Sequence, residues 1–254
     1  MNRLHLVEIH DLPACPPVIR RGMTDYLLGI SRLAKLHSFM APYVQRVLDA
    51  SDAERIVDLC SGSGGPIVEV RGALSEPVPL VLTDLYPHSL PEAPPDGVTS
   101  HPDAVDATAA SLPGLRTICN AFHHFQPDQA KAILRSAVEA RQPIAVFEVT
   151  HRDLGAFVSF FILPIVVVLV TPFLRPRLST LLLTYVVPVL PWVIAWDGMV
   201  SHLRTYRVAE LEQMTADLPG YRWEARRDVV GPGTGLTVLL GWPDDSSAGS
   251  GDTA

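Results

Sequence analysis

Hydrophobic and polar positions divide this chain into stretches of different period. Between Pro17 and Leu48, Tyr26, Leu27, Ile30, Leu33 and Ala34 recur at helical spacing and Thr24 offers a capping hydroxyl. The pattern lapses near Lys35–Ser38, which predicts two helices rather than one. From Arg55 onward it changes to short apolar runs: Ile56–Leu59, Val78–Thr83, Thr117–Asn120 and Ile144–Val149. Each is rich in β-branched residues and bounded by Gly, Pro, Asp or Ser, with helical candidates at Ile67–Leu74 and Asp128–Ala140 between them. Strands alternating with helices predict parallel βαβ units in a doubly wound sheet.

The pattern changes again after Glu148. Leu154–Leu174 and Leu178–Trp196 contain no charged residue, and only Arg175-Pro176-Arg177 separates them. Each run is long enough to span a membrane. Pro164, Pro172, Pro188 and Pro191 would kink the runs, however, and a short basic tip crossing the bilayer opposes the positive-inside tendency. Three placements follow: a helical insertion resting on a membrane surface, a cap buried within a soluble monomer or homodimer, and a transmembrane hairpin. The first is preferred. Beyond the insertion, Val208–Met214 reads as a helix, and Tyr221–Val230 and Leu236–Trp242 read as strands joined by the turn Gly231-Pro232-Gly233-Thr234-Gly235.

The expected fold is therefore α/β, a doubly wound, mostly parallel seven-stranded sheet closed by an antiparallel C-terminal hairpin. An N-terminal helical cap (1–52) precedes the core (53–153 and 204–243). The hydrophobic helical insertion (154–203) follows the fifth strand, and a disordered tail (244–254) of small and acidic residues ends the chain.

Composition narrows the function classes. Charged residues make up 19% of the 254, the net charge is −7 and there is no Lys/Arg run, so nucleic acid is excluded as an expected partner. Cys15, Cys60 and Cys119 lack the spacing of a disulfide framework or zinc site, and no metal is expected. They read as reduced thiols of a cytoplasmic protein, and Met1–Glu8 has no apolar segment of the signal-peptide kind.

The chemistry concentrates at Ile56-Val57-Asp58-Leu59-Cys60-Ser61-Gly62-Ser63-Gly64-Gly65-Pro66. An apolar strand meets an acid, a small-residue turn and a new apolar run. Such a turn lets backbone N–H groups approach a nucleotide-like ligand. A dinucleotide fingerprint would need a third glycine where Ile67 stands. Asp58, Asp84, Asn120 and Glu148 all fall at the carboxyl ends of expected strands, where ligands of open α/β sheets bind.

Over roughly Arg55–Glu148 and Arg204–Trp242 the chain resembles the class I S-adenosylmethionine-dependent methyltransferases. Asp58-Leu59-Cys60-Ser61-Gly62-Ser63-Gly64 is similar to the family's first motif, with Cys60 standing where that family usually has its first glycine. The resemblance implies S-adenosylmethionine as cofactor, with Asp84 and Leu85 at the ribose and Asp106-Ala107 at the adenine. It also implies that Asn120-Ala121, at the head of Asn120–Phe125, lies beside the methionine moiety. The cofactor set is then Asp58, Cys60, Ser61, Gly62, Gly64, Asp84, Leu85, Asp106, Ala107, Asn120 and Ala121. A base is needed only where the acceptor loses a proton. The candidates are His124, then His123, Glu148 and Asp197; Arg204 and Tyr206 either hold an acidic or phenolic acceptor or join Asp197 in a structural network. The expected activity is methyl transfer to a hydrophobic small molecule or lipid-like acceptor. The alternatives are a membrane-associated protein that binds the cofactor without catalysis, and a nicotinamide-dependent oxidoreductase.

Overall fold

Seven strands form one sheet: β1 (Ile56–Asp58), β2 (Leu80–Leu82), β3 (Val98–Ser100), β4 (Leu115–Cys119), β5 (Ile144–Glu148), β6 (Tyr221–Gly231) and β7 (Thr234–Pro243). Their order is β3-β2-β1-β4-β5-β7-β6. The computed structural model describes residues 2–153, 155–174, 176–231 and 234–244. These divide into two compact units, Met1–Leu36 with Thr150–Tyr206 and His37–Val149 with Arg207–Ala254, here the helical unit and the sheet unit.

In the sheet unit β1 pairs in parallel with β2 and β4, aligning Ile56 with both Leu80 and Leu115. Every residue of β1 and β5 is buried, as continuous apolar runs in a sheet covered on both faces require. β7 lies antiparallel between β5 and β6, so the hairpin closes the sheet with its second strand innermost. The helices are α2 (Leu36–Asp49), α3 (Ile67–Gly72), α4 (Pro127–Glu139) and α8 (Val208–Thr215). Pro127 opens α4 at the position where a missing N–H costs nothing, and the Gln129 side chain accepts a bond from the Gln126 N–H just before it. β3 has no counterpart among the strands read from the apolar runs. It is a three-residue edge strand in which Val98 is buried and Thr99 exposed, too short to show a period.

The helical unit contains α1 (Pro17–Leu33), α5 (Gly155–Val170), a 3-10 turn at Thr171–Leu174, α6 (Leu178–Leu181) running into a π turn at Leu182–Val186, and α7 (Leu190–Arg204). Met23, Tyr26, Val167, Leu190, Val193 and Ile194 form its core. Two glycines let α1 come close to its neighbours. A Cβ at Gly22 would lie 3.2 Å from Leu190, and one at Gly29 3.0 Å from Leu174.

The division falls inside the expected N-terminal cap. The break at Lys35, with φ 51°, separates α1, which belongs with the apolar insertion, from α2, which belongs with the sheet. Of the expected tail, Asp244 donates its N–H to the Gly220 carbonyl at 3.0 Å, and residues 245–254 lie outside the described residues. Leu154, Arg175 and the turn residues Pro232 and Gly233 do too.

Candidate functional site

The strand order reverses direction between β1 and β4, and this switch point is where open α/β sheets bind ligands. Two non-glycine residues just beyond these strands adopt left-handed backbone conformations, Cys60 at φ 59° and Asn120 at φ 53°. Such a conformation costs an ordinary L-residue about 1–2 kcal/mol. It is tolerated where the surrounding structure imposes it, and such strain clusters at ligand sites. At Cys60 it also accounts for the sequence: this is the position where the resembling family places glycine.

Hydrogen bonds between neighbouring strand ends hold the turn after β1. The Asp58 carbonyl accepts the Thr83 N–H at 2.9 Å, the Thr83 hydroxyl at 2.8 Å and the Ser61 hydroxyl at 2.9 Å. Ser61 donates its N–H to the Thr83 carbonyl at 2.9 Å. The Asp58 carboxyl is buried and accepts the Thr117 hydroxyl from β4 at 2.6 Å. Burial pushes it up to about 7, the Thr117 and Ser61 bonds oppose the rise, and the charge of Asp84 adds to it. Burial also raises the Cys60 and Cys119 thiols, so both remain protonated.

The loop continues through Gly62, Gly64 and Gly65, all with positive φ. A Cβ added at Gly62 or Gly65 would meet nothing within 4 Å, so open space lies over the loop. Asp84, just after β2, accepts the Gly62 N–H at 2.9 Å on one carboxylate oxygen and the Tyr86 N–H at 2.9 Å on the other. A carboxylate offers about four lone-pair sites, which leaves capacity for hydroxyl donors. Leu85 and Tyr86 beside it are exposed, at 51% and 62%. The Asp84 carbonyl accepts the Val105 N–H at 2.9 Å and so brings in the Asp106 segment. Asp106 is exposed, caps the turn Ala107–Ala109 by accepting the Thr108 N–H at 2.8 Å, and is followed by the buried Ala107.

At the end of β4, Asn120 donates its N–H to the Phe147 carbonyl at 2.8 Å, and its side-chain oxygen accepts the Val149 N–H at 2.8 Å. Ala121 leads into a 3-10 turn, Phe122–His124. His123 is buried there. Its Nδ1 lies 2.6 Å from a Glu148 oxygen, and its N–H donates to the other Glu148 oxygen at 3.1 Å. His124 is half-buried, with its ring 4.4 Å from that of His123.

The structure thus brings together every expected cofactor residue, with His123, His124 and Glu148, at one edge of the sheet unit. Two expected roles look different in three dimensions. Glu148 and His123 are each other's partners and form one buried group, not two independent candidates. Asp197 belongs to the helical unit, where its carboxylate accepts the Ile9 N–H at 2.7 Å and the His10 N–H at 2.9 Å and fastens the N-terminal segment to α7. Burial raises that carboxyl to about 6 against the lowering effect of these bonds. Arg204 pairs with Glu8 at 3.1 Å and Asp11 at 3.0 Å, and Tyr206 stacks under Arg3, so both serve the same N-terminal segment. Thr83, Thr117 and Tyr86 were not read as site residues. The signal for Thr117 was its place level with Asp58 on a flanking strand, for Thr83 its place just past the end of β2, and for Tyr86 its place two residues past Asp84.

No protein-family model matches the sequence, and no curated protein does. Solved structures do. The plantazolicin methyltransferase BpumL, in complex with SAH, aligns over 93% of this chain and 93% of its own with a TM-score of 0.59 at 11% identity. Human N-acetylserotonin methyltransferase, in complex with SAM, aligns over 95% of this chain with a TM-score of 0.51 at 14% identity. This chain spans 63% of that protein's length. The fold is therefore that of the class I S-adenosylmethionine-dependent methyltransferases, with its parallel sheet and antiparallel closing hairpin.

Proposed function

We propose that this protein is an S-adenosylmethionine-dependent methyltransferase acting on a hydrophobic, lipid-like acceptor at the cytoplasmic face of a membrane. The observation that carries the cofactor is the strand-end constellation: an open glycine loop tied by its Gly62 N–H to the Asp84 carboxylate at the sheet's switch point. The residues fit such a ligand. Asp84 would accept the ribose hydroxyls, with the exposed Leu85 and Tyr86 flanking the base. Asp106 would accept the adenine amino group, and the Asn120-Ala121 backbone would lie along the methionine portion.

When bound, S-adenosylmethionine supplies a methyl group already attached to a sulfonium leaving group, so positioning can provide most of the acceleration. The chain's own task is to orient the acceptor and, for a hydroxyl acceptor, to take its proton. His124 is our choice for that proton. The buried His123–Glu148 pair beneath it acts as a positioning group, since Glu148 fixes the ring of His123 at Nδ1 and the ring of His123 packs on His124.

The acceptor class is supported by the helical unit. It carries a groove of about 410 Å³ whose walls include Ile9, Phe160, Val189, Trp192 and Trp196. An almost wholly apolar groove favours an alkyl, prenyl or ring system over a polar metabolite.

Incubation with methyl-labelled S-adenosylmethionine and separated lipid and aqueous extracts tests the reading. Label in the lipid fraction is expected. Label only in the aqueous fraction would overturn the acceptor class. Binding of S-adenosylhomocysteine (SAH) without transfer to any extract would favour a cofactor-binding protein without catalysis.

A further inference from the structure

The helical unit presents a surface that water does not suit. Phe157–Leu174 is long and apolar enough to cross a membrane by length and composition, yet only 17% of it is buried. Ile165 is 61% exposed, Leu169 65% and Phe173 78%. The first part of the second apolar run is also open, with Leu178 at 72% and Val186 at 69%, whereas Leu190, Val193 and Ile194 turn into the core. A helix apolar on every side belongs in a protein core or in lipid, and the first run turns only a narrow side, centred on Val167, into the core.

The buried hydroxyls of the two apolar runs are satisfied from within. Thr171 and Thr184 turn their hydroxyls back onto the Val167 and Thr180 carbonyls, at 2.6 and 2.7 Å. The Val168 carbonyl lacks the donor four residues on that a regular α-helix supplies, because that residue is Pro172. The half-exposed Tyr185 supplies one, its hydroxyl donating at 2.6 Å across to the other apolar run. Internal satisfaction of exposed backbone is the condition hydrocarbon imposes. The second run bends by 90° between Leu178–Val186 and Leu190–Arg204, a shape suited to lying at an interface rather than crossing it.

Charge identifies the partner. The chain's net charge is −7, but the helical unit has nine cations against five acids, a net of +4, which leaves −11 on the sheet unit. Arg21 and Arg32 are exposed on α1, as are Leu27 and Leu33, Lys35 is exposed just past the end of that helix, and the exposed Arg177 pairs with Asp25 at 3.2 Å. A second copy of the same positive face would be repelled, whereas an anionic lipid surface attracts it.

We infer that the helical unit seats on a bilayer rich in anionic headgroups, with its apolar helices in the headgroup–acyl boundary and α1 cations on the lipid phosphates. This rests on the membrane-face part of the function proposed above and not on the cofactor assignment.

The full chain should float with vesicles of equal parts phosphatidylglycerol and phosphatidylcholine and bind phosphatidylcholine alone at least tenfold more weakly. Ile165→Glu with Leu169→Glu, and separately Arg21→Glu with Arg32→Glu, should each reduce flotation at least tenfold while calorimetric SAH affinity is unchanged. A salt titration of the unaltered chain reads the charge contribution without any substitution, and binding should fall steeply with ionic strength. Equal binding to both vesicles, or none to either, would overturn the inference. So would a soluble dimer dispersed by the Ile165 and Leu169 substitutions, which assigns the face to a second copy. Loss of SAH binding by the unaltered chain would remove the cofactor reading and leave the vesicle result standing.

Discussion

The sheet unit and the helical unit use opposite means to define a surface. In the sheet unit almost everything of interest is a backbone feature held by a side chain: left-handed Cys60 and Asn120, the glycine loop, and carboxylates that accept N–H groups. Its ligand is specified by the direction of a few donors and acceptors. In the apolar runs of the helical unit the exposed positions are mostly alkyl and aromatic, the hydroxyls of Thr171, Thr184 and Tyr185 bond to backbone carbonyls, and no single residue defines the surface. One region is specific through geometry, the other through composition. A substitution that ruins the first should leave the second intact, and the reverse.

The largest separation expected is with Glu148→Ala. Removing Glu148 takes the acceptor from two buried groups of His123, its backbone N–H and its Nδ1, at about 1–3 kcal/mol each. Thermal unfolding should show the sheet unit destabilised; an unchanged midpoint would mean that His123 finds an equivalent partner.

Protonation offers a second separation of similar size. Asp58 titrates near 7 when folded and near 3.8 when unfolded. Between those values the folded state holds the extra proton, so this carboxyl's contribution to stability is fully present below about pH 4 and is lost as pH rises toward 7. Three pH units correspond to about 4 kcal/mol. Asp58→Asn should flatten that decline, and a thermal-melt series in which the variant keeps the slope would reassign it, with Asp197 of the helical unit next in line.

Asp84→Ala should weaken SAH binding by about 1–3 kcal/mol, the range for leaving polar partners unpaired. Vesicle flotation should not change. Unaltered calorimetric affinity would remove Asp84 from the ribose site.

Gly22→Leu sharpens the comparison from the other side. Overpacking α1 against Leu190 should cost about 1–3 kcal/mol in the helical unit with SAH affinity retained. The smallest effect is expected from Cys60→Gly, which relieves the left-handed backbone and should stabilise by less than about 1 kcal/mol. A destabilised variant would show that the buried thiol contributes more through packing than its backbone costs.

Much of the sheet unit was legible because its signals are local. Asp58, the glycines and Asp84 lie within or beside short apolar runs whose ends are marked by turn residues, and strand ends are where such sheets bind. β3 was not legible, since three residues behind a Pro-rich loop carry no period. The His123–Glu148 pair joins residues 25 apart at the ends of neighbouring strands. Both residues were named, but only the register of β4 and β5 couples them. The placement of α1 was hidden for a similar reason. Its amphipathic pattern says that it packs, whereas its partners are identified by Gly22 and Gly29 meeting leucines about 145–168 positions away.

The strand order also has a consequence for synthesis. β5 is flanked by β4 and β7, and β7 is the last strand made. Until about residue 243 has left the ribosome, one edge of β5 carries unpaired N–H and C=O groups, and the uncharged run 157–174 is translated within that interval. The nascent chain therefore exposes an open sheet edge and its most apolar segment together, so a chaperone or a nearby bilayer would matter most before the protein is complete.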